Sequence, residues 1–293
     1  MIPTGLFVPL ITPFTDDGAL AAHALERHAH RVLDDGATGL VALGTTAEPA
    51  TLTAGERATV LEICARVCAE RGAPLIAGAG TNSTTDSLAT LAALDGRITA
   101  ALTVVPYYTR PSEAGVLAHF RALAAGPVPL IVYNIPYRTG RTLGLDTVLA
   151  LAGIPGVVGF KHAVGAIDDI TVTMMSRLPA EVAVLAGDDL YAAPMLALGA
   201  GGAILACANL ATPAYAELVR RGRNGPVENA RHMGHRLAAL AESVFAEPNP
   251  VVIKAVLAAH GRIPGPAVRL PLLPASEAAT TAALRALDAL PTR

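Results

Sequence analysis

Eight short apolar runs recur along the chain: "LFVPLI" (6–11), "GLVAL" (39–43), "PLIAGA" (74–79), "TAALTVV" (99–105), "PLIVYN" (129–134), "GVVGFK" (156–161), "VAVLAG" (182–187) and "GAILAC" (202–207). Each is nearly continuous in apolar residues and ends near Gly, Pro or a polar residue. Strands that alternate apolar and polar have one wet face; continuous runs predict strands buried on both faces, as in a parallel sheet. Between the runs, polar positions fall at helical spacing, as in "ALERHAHRVLDDG" (24–36), "AGERATVLEICARVCAERG" (54–72) and "STTDSLATLAAL" (83–94). The second of these carries both boundary signals. Thr53 with Glu56 predicts a capping box, and Gly72 predicts a C-terminal cap.

Eight strand–helix units predict a (β/α)8 barrel of the α/β class rather than an open doubly wound sheet. The open-sheet alternative lacks its phosphate loop: "GAGTN" (78–82) has no third glycine, and no "GK[ST]" occurs. After residue 207 the strand pattern stops. Helical patterns then cover 213–222, 225–247, 250–260 and 275–288, broken by "EPNP" (247–250) and "PGP" (264–266). The expected organisation is a barrel core over 1–207 and a helical C-terminal extension over 208–293, packed together as one structural unit.

Composition narrows the function classes. Of 293 residues, 52% are hydrophobic and 16% charged, which excludes a disordered chain and supports a large core. A formal net charge of −2 with 4% aromatics and no Trp argues against a nucleic-acid partner. Cys64, Cys68 and Cys207 are expected as core thiols in a reducing cytoplasm, without disulfides or zinc. The start "MIPTGLFVPLITPF" has no basic region ahead of its apolar residues and is not expected to be a signal peptide. No run reaches the roughly 18 apolar residues of a membrane span. His232 and His235 lack a third ligand, so no metal site is expected. His23, His28 and His30 are expected at the surface, and Asp16, Asp17 and Gly18 in a turn. One of Asp188 and Asp189 is expected to cap the helix that follows.

Barrel chemistry lives at the C-terminal ends of the strands. Sorting polar residues by that rule gathers Thr45, Thr46 and Glu48 after the second strand, and Tyr107, Tyr108 and Arg110 after the fourth. Tyr133, Asn134 and Arg138 follow the fifth, Lys161 ends the sixth, and Gly187, Asp188 and Asp189 follow the seventh. All are expected to face one mouth. Lys161 closes an apolar run, where desolvation penalises an ammonium and favours a nucleophilic amine. Its natural target is a ketone carbonyl, giving a Schiff base that serves as an electron sink. Tyr133, Tyr108 and Thr45 offer a proton relay, and Thr46 a carboxylate donor. The competing reading pairs Lys161 with a carboxylate such as Asp188 as a brace, with the threonines as caps and the tyrosines as pocket walls. A keto-acid-binding scaffold without turnover would need the lysine but no relay.

The stretches "GTTAEPATL", "VVPYYTRPS", "YNIPYRTG", "GFKHAVG", "AGDD" and "AEPNPVVIK" stand in an order and spacing that resembles the N-acetylneuraminate lyase/dihydrodipicolinate synthase family of class I pyruvate aldolases. The likeness runs from "VPLITPF" to "RLPLLP", essentially the whole chain. It implies that Lys161 forms the Schiff base with pyruvate, that Tyr133 is the acid/base, and that Thr45 links Tyr133 to Tyr108. It implies further that Tyr108 enters from the neighbouring subunit of a tight dimer and that Thr46 holds the pyruvate carboxylate. Arg138, in "YRTG", matches the synthase subgroup and would bind the carboxylate of L-aspartate 4-semialdehyde. Gly187 and Ile204 would make backbone contacts near the imine. Homo-oligomers built as dimers of dimers, with no metal or organic cofactor, are implied as well. Ala50, Asn82, Asp86 and Tyr107 match part of an interface site where lysine inhibits some synthases. Ala54 and Arg57 replace the histidines often found there, so weak or absent inhibition is expected. Two positions depart from the family: Ala47 stands where a second glycine is usual, and His162 where an acid is usual. His162 either faces the mouth and retunes the lysine or the choice of aldehyde, or packs away from it.

Overall fold

The computed structural model describes residues 3–290. Eight parallel strands close into a barrel in sequence order: β1 (Gly5–Pro9), β2 (Gly39–Ala42), β3 (Leu75–Gly78), β4 (Ala100–Val104), β5 (Leu130–Asn134), β6 (Val157–His162), β7 (Ala183–Ala186) and β8 (Gly202–Ile204). The seam is β1 on β8, with Gly5 opposite Gly202 and Phe7 opposite Ile204. The chains approach so closely there that a Cβ on Gly202 would lie 2.1 Å from the Gly5 carbonyl oxygen.

Helices cover the barrel between strands: α1 (Ala22–Asp34), α2 (Ala54–Arg71), α3 (Thr84–Ala92), α4 (Glu113–Ala124), α5 (Pro136–Thr139), α6 (Leu145–Ala152), α7 (Asp169–Arg177) and α8 (Ala192–Ala197). They are followed by α9 (Ala208–Asn224), α10 (Val227–Val244), α11 (Val251–Ala259) and α12 (Glu277–Asp288). Helix α9 packs on β1 and β8 and so covers the seam. This helix is the first of those expected from residue 208 onward to pack on the barrel.

Two apolar layers build the core. The larger lies between the strands and the helix ring, and includes Val8, Leu40, Val132, Phe160 and Tyr215. The smaller fills the barrel with inward side chains of Phe7, Val41, Ile76, Leu102, Ile131, Leu185 and Ile204. Every strand residue is buried or nearly so, which explains the continuous apolar runs. Helix α2 begins with the predicted capping box, Thr53 accepting from the Glu56 amide while Glu56 accepts from the Thr53 amide, and ends at Gly72 with φ +61°. Asp16, Asp17 and Gly18 form the predicted turn, Gly18 at φ +80°.

Two expectations are corrected. His28 is not at the surface: it is 2% exposed, with Nε2 2.9 Å from Asn209 Oδ1 and Nδ1 facing Arg262. Burial and the Arg262 charge pull its pKa down to about 4, so it is a neutral ring stitching α1 to α9. The run "GAILAC" also stops short as a strand at Ile204. The amides of Ala206 and Cys207 leave the ladder and donate instead to the Asp189 carboxylate, at 3.2 and 2.8 Å. Cys64, Cys68 and Cys207 are buried free thiols. Among the described residues no helix is long and apolar enough to cross a membrane.

Candidate active site

Lys161 and Tyr133 sit side by side because β5 and β6 pair Tyr133 with Lys161 in register. Strand alternation turns both toward the barrel axis while Asn134 and His162 point outward. Both inward side chains are 6% exposed. The Lys161 Nζ lies 4.3 Å from the centroid of the Tyr133 ring and makes no ion pair among the described residues. The brace to Asp188 is therefore absent; the Asp188 carboxylate instead accepts from the Gly165 amide at 2.8 Å.

Burial lowers the Lys161 pKa from its ordinary 10.5 to about 8, against the opposing pull of the Asp189 and Asp188 charges. The positive charge of Arg138 adds to the lowering. Burial pushes the Tyr133 phenol above its usual range, while Arg138 and a hydrogen bond from Thr45 work against it. Asp189, 5% exposed, is pushed up to about 6 by burial, and its bonds to the Cys207 and Ala206 amides resist. Neither aspartate caps the helix that follows: α8 has Tyr191 before it with no side-chain cap. Asp189 holds the start of α9 instead.

Above this buried floor opens a cavity of about 340 Å³ of space between atoms, part of it open solvent at the mouth. Thr45 and Thr46 form one wall, Gly187, Asp188, Asp189 and Ala206 another, and Tyr137, Arg138, Phe245 and Asn249 surround the mouth. Gly187 keeps the lysine free to move, since a Cβ there would lie 3.0 Å from Lys161 Cγ. Arg138 is exposed and stacks on Tyr137, 5.5 Å from its ring centroid. The geometry provides an amine of lowered pKa, an adjacent phenol, hydroxyl donors and a guanidinium at the mouth of a small cavity. No group of three or more metal-binding side chains occurs among the described residues.

Not every expected residue converges. Ile204 is fully buried inside the barrel and does not line the cavity; Ala206 stands there in its place. Tyr107, Tyr108 and Arg110 lie outside the cavity, with Tyr108 88% exposed. The loop after β4 turns outward through positive φ at Tyr108 (67°) and Arg110 (45°), which carries these side chains away from the axis. Ala50, Asn82, Asp86 and Tyr107 are all exposed, and Arg57 donates to the Leu52 carbonyl at 3.0 Å.

The two departures from the family resolve structurally. Ala47 is buried in a 3-10 turn over Thr45–Ala47 and is not among the positive-φ residues, so its methyl is accommodated. His162 faces α7, its Nε2 2.9 Å from Thr171 Oγ1, and burial holds it near pKa 4. Four cavity residues are not recognisable as site residues in the sequence: Asn249, Tyr137, Phe245 and Ala206. Asn249 donates from Nδ2 to Thr46 Oγ1 at 3.0 Å. Its signal is present in "EPNP", which reads locally only as a helix break.

A family model described as the dihydrodipicolinate synthetase family matches residues 2–290. The chain belongs to the dihydrodipicolinate synthetase family. The 4-hydroxy-tetrahydrodipicolinate synthase of Neisseria gonorrhoeae is 38% identical over 287 residues, covering 97% of this chain and 98% of that protein. The corresponding synthase of Methanothrix thermoacetophila is 38% identical over 275 residues, covering 93% of this chain and 92% of that one. The crystal structure of the chloride-inhibited dihydrodipicolinate synthase from Acinetobacter baumannii, complexed with pyruvate, superposes with a TM-score of 0.93 at 35% identity, over 97% of this chain and 98% of that chain. The lysine-bound enzyme from Cyanidioschyzon merolae superposes with a TM-score of 0.91 at 29% identity, over 97% of both chains. Membership in the dihydrodipicolinate synthetase family thus extends across the barrel and the helices after it.

Proposed function

We propose that this enzyme condenses pyruvate with L-aspartate 4-semialdehyde through an imine on Lys161, the reaction of a 4-hydroxy-tetrahydrodipicolinate synthase in lysine and diaminopimelate biosynthesis. The observation that carries this reading is the buried, unpaired Lys161 amine against the Tyr133 ring at the floor of a small cavity. The amine attacks the pyruvate ketone and water leaves, forming the imine. Loss of a C3 proton gives the enamine, whose C3 attacks the aldehyde, forming the new C–C bond. The acceptor's amino group then attacks the imine carbon, closing the ring and releasing Lys161. Tyr133 handles the protons with Thr45 beside it. Thr46 donates to the pyruvate carboxylate, the backbone near Gly187 and Ala206 helps to hold the bound acid, and Arg138 receives the carboxylate of the semialdehyde. The imine itself supplies the electron sink, so this chemistry calls for no metal or organic cofactor.

Tyr108 completes the relay from a second subunit, and the working form is a homo-oligomer, a dimer of dimers. The exposure of Tyr108 in the single chain supports this. Buried free thiols suit a cytoplasmic enzyme. Ala50, Asn82, Asp86 and Tyr107 form an incomplete lysine site, so lysine inhibits weakly; an inhibition constant well below a millimolar would contradict this. A different aldehyde as acceptor would be favoured by Ala47 and His162 only if they faced the cavity, and neither lines it.

The deciding experiment treats the enzyme with pyruvate and borohydride and maps the adduct, then assays Arg138→Ala with both substrates. A reduced pyruvate adduct on the Lys161 peptide is expected, with a KM for the semialdehyde raised about tenfold or more in the variant, the loss of a charge-assisted hydrogen bond. An unmodified Lys161 peptide ends the imine mechanism; an unchanged semialdehyde KM ends the assignment of the acceptor.

A further inference from the structure

The chain holds a second buried lysine. Lys254, on α11, has no exposed surface, and its Nζ lies 2.7 Å from Glu48 Oε1, itself 1% exposed in its side chain. Glu48 Oε2 accepts from the Arg269 amide at 3.1 Å. The Lys254 ammonium also sits 4.1 Å from the centroid of the Phe14 ring, whose other neighbour is the Arg269 guanidinium at 4.3 Å. Arg269 continues outward to Glu56, to the Thr51 carbonyl and to the Gly18 carbonyl. Two charges removed from water this completely cost more than a hydrophobic pair would, so burial alone does not account for them.

Their position does. Glu48 follows directly on Thr45, Thr46 and Ala47, and it adopts a left-handed conformation with φ 54°. That conformation is costly for a residue with a side chain and persists only where its surroundings impose it. The loop from Gly44 to Leu52 has two single 3-10 turns, Thr45–Ala47 and Pro49–Thr51, and no longer element of its own. It is held from outside instead. Thr12 Oγ1 donates to the Ala47 carbonyl at 2.8 Å, Asn249 Nδ2 to Thr46 Oγ1 at 3.0 Å, Lys254 to Glu48, and Arg269 to the Thr51 carbonyl at 2.8 Å. Three of these four donors lie beyond residue 224, outside the ring of barrel helices. Because Thr46 Oγ1 already accepts from Asn249, its own hydroxyl proton is left to be donated elsewhere, and the cavity is where Thr46 faces.

We infer that Lys254 and Glu48 are positioning residues for pyruvate binding: their ion pair locks the loop so that Thr45 and Thr46 present their hydroxyls to the substrate acid. This rests on the pyruvate reading above and adds to it a role for the C-terminal segment, which places Phe245 and Asn249 at the mouth of the site without supplying the reacting amine.

The experiment measures pyruvate half-saturation of borohydride trapping on Lys161 in the full-length enzyme, for wild type, Lys254→Met, Glu48→Gln, Thr46→Val and the Thr46→Val/Lys254→Met double variant. Folding is followed by circular dichroism and the thermal midpoint. Lys254→Met is expected to raise the half-saturating pyruvate concentration about tenfold with full trapping at saturation, a misplacement effect rather than a loss of the nucleophile. Glu48→Gln, which keeps the shape and one acceptor, shifts it in the same direction by less. In the Thr46→Val background, Lys254→Met adds less than twofold, because the hydroxyl it positions is gone. If both single variants lower the thermal midpoint but leave half-saturation unchanged, the pair is only structural and the inference fails. It also fails if the effects of Lys254→Met and Thr46→Val multiply as independent changes. Should Lys254→Met not fold, Glu48→Gln alone decides, since unchanged half-saturation there overturns the inference. A wild-type enzyme that traps no pyruvate overturns the underlying reading, a failure distinct from all of these.

Discussion

A lysine amine at pH 7 is ordinarily a poor nucleophile, because nearly all of it carries a proton. Burial brings the Lys161 pKa to about 8, which raises the neutral share at pH 7 to about a tenth, far above that of an ordinary lysine. The sign follows: the neutral fraction grows with pH up to that value and levels off above it. Borohydride trapping at subsaturating pyruvate is therefore expected to rise by about tenfold per pH unit below pH 8 and to flatten beyond it. A trapping rate still climbing steeply at pH 10 would mean an ordinary lysine. The same depression makes the folded state bind this proton less readily than the unfolded chain. The stability cost of Lys161 is thus present at low pH and relieved between about 8 and 10.5. At this scale the lysine was legible, since an ammonium closing an apolar run is costly to bury and stands out against its neighbours. Its neighbour Tyr133 was legible as well, as a polar end to the preceding run. Asn249 was not, because its meaning depends on Thr46, which is 203 positions away in the chain.

Secondary structure was legible where the local signal is physical and self-contained. The capping box at Thr53 and the glycine stop at Gly72 are both present as read. Legibility failed where a distant partner competes for backbone groups, as when Asp189 draws the Ala206 and Cys207 amides away from β8. It failed for His28 too, whose polar ring suggests the surface although it shares a helix face with Leu25, Ala29 and Val32, and Asn209 and Arg262 close over it. Closure of the sheet depends on backbone proximity at the seam. Gly202→Ala places a methyl against the Gly5 carbonyl and is expected to destabilise the protein by about 1–3 kcal/mol, the usual cost of overpacking. Chemical denaturation of the variant checks this; an unchanged midpoint would show that β1 and β8 have slack.

At the scale of the molecule, the barrel was legible from the count of eight runs and the mouth from their C-terminal ends. The outward turn after β4 was not, because positive φ at Tyr108 and Arg110 leaves no trace in residue type. If Tyr108 serves a neighbouring subunit, two defective chains repair each other. Co-expressed Lys161→Ala and Tyr108→Ala chains are expected to show turnover that neither has alone, because a mixed dimer holds one site with both residues intact. Absence of any recovery in verified mixed oligomers would confine Tyr108 to its own chain. The seam carries one last consequence. β1 pairs with β8, and Glu48 with Lys254, so the earliest segments to leave the ribosome must wait for nearly the latest. Until then a nascent half-barrel presents a bare strand edge and an acid with no counterion, the kind of surface that recruits chaperones or clumps. A polypeptide cut short before α11 would still close its barrel at β8 but would leave the acid at position 48 permanently without Lys254.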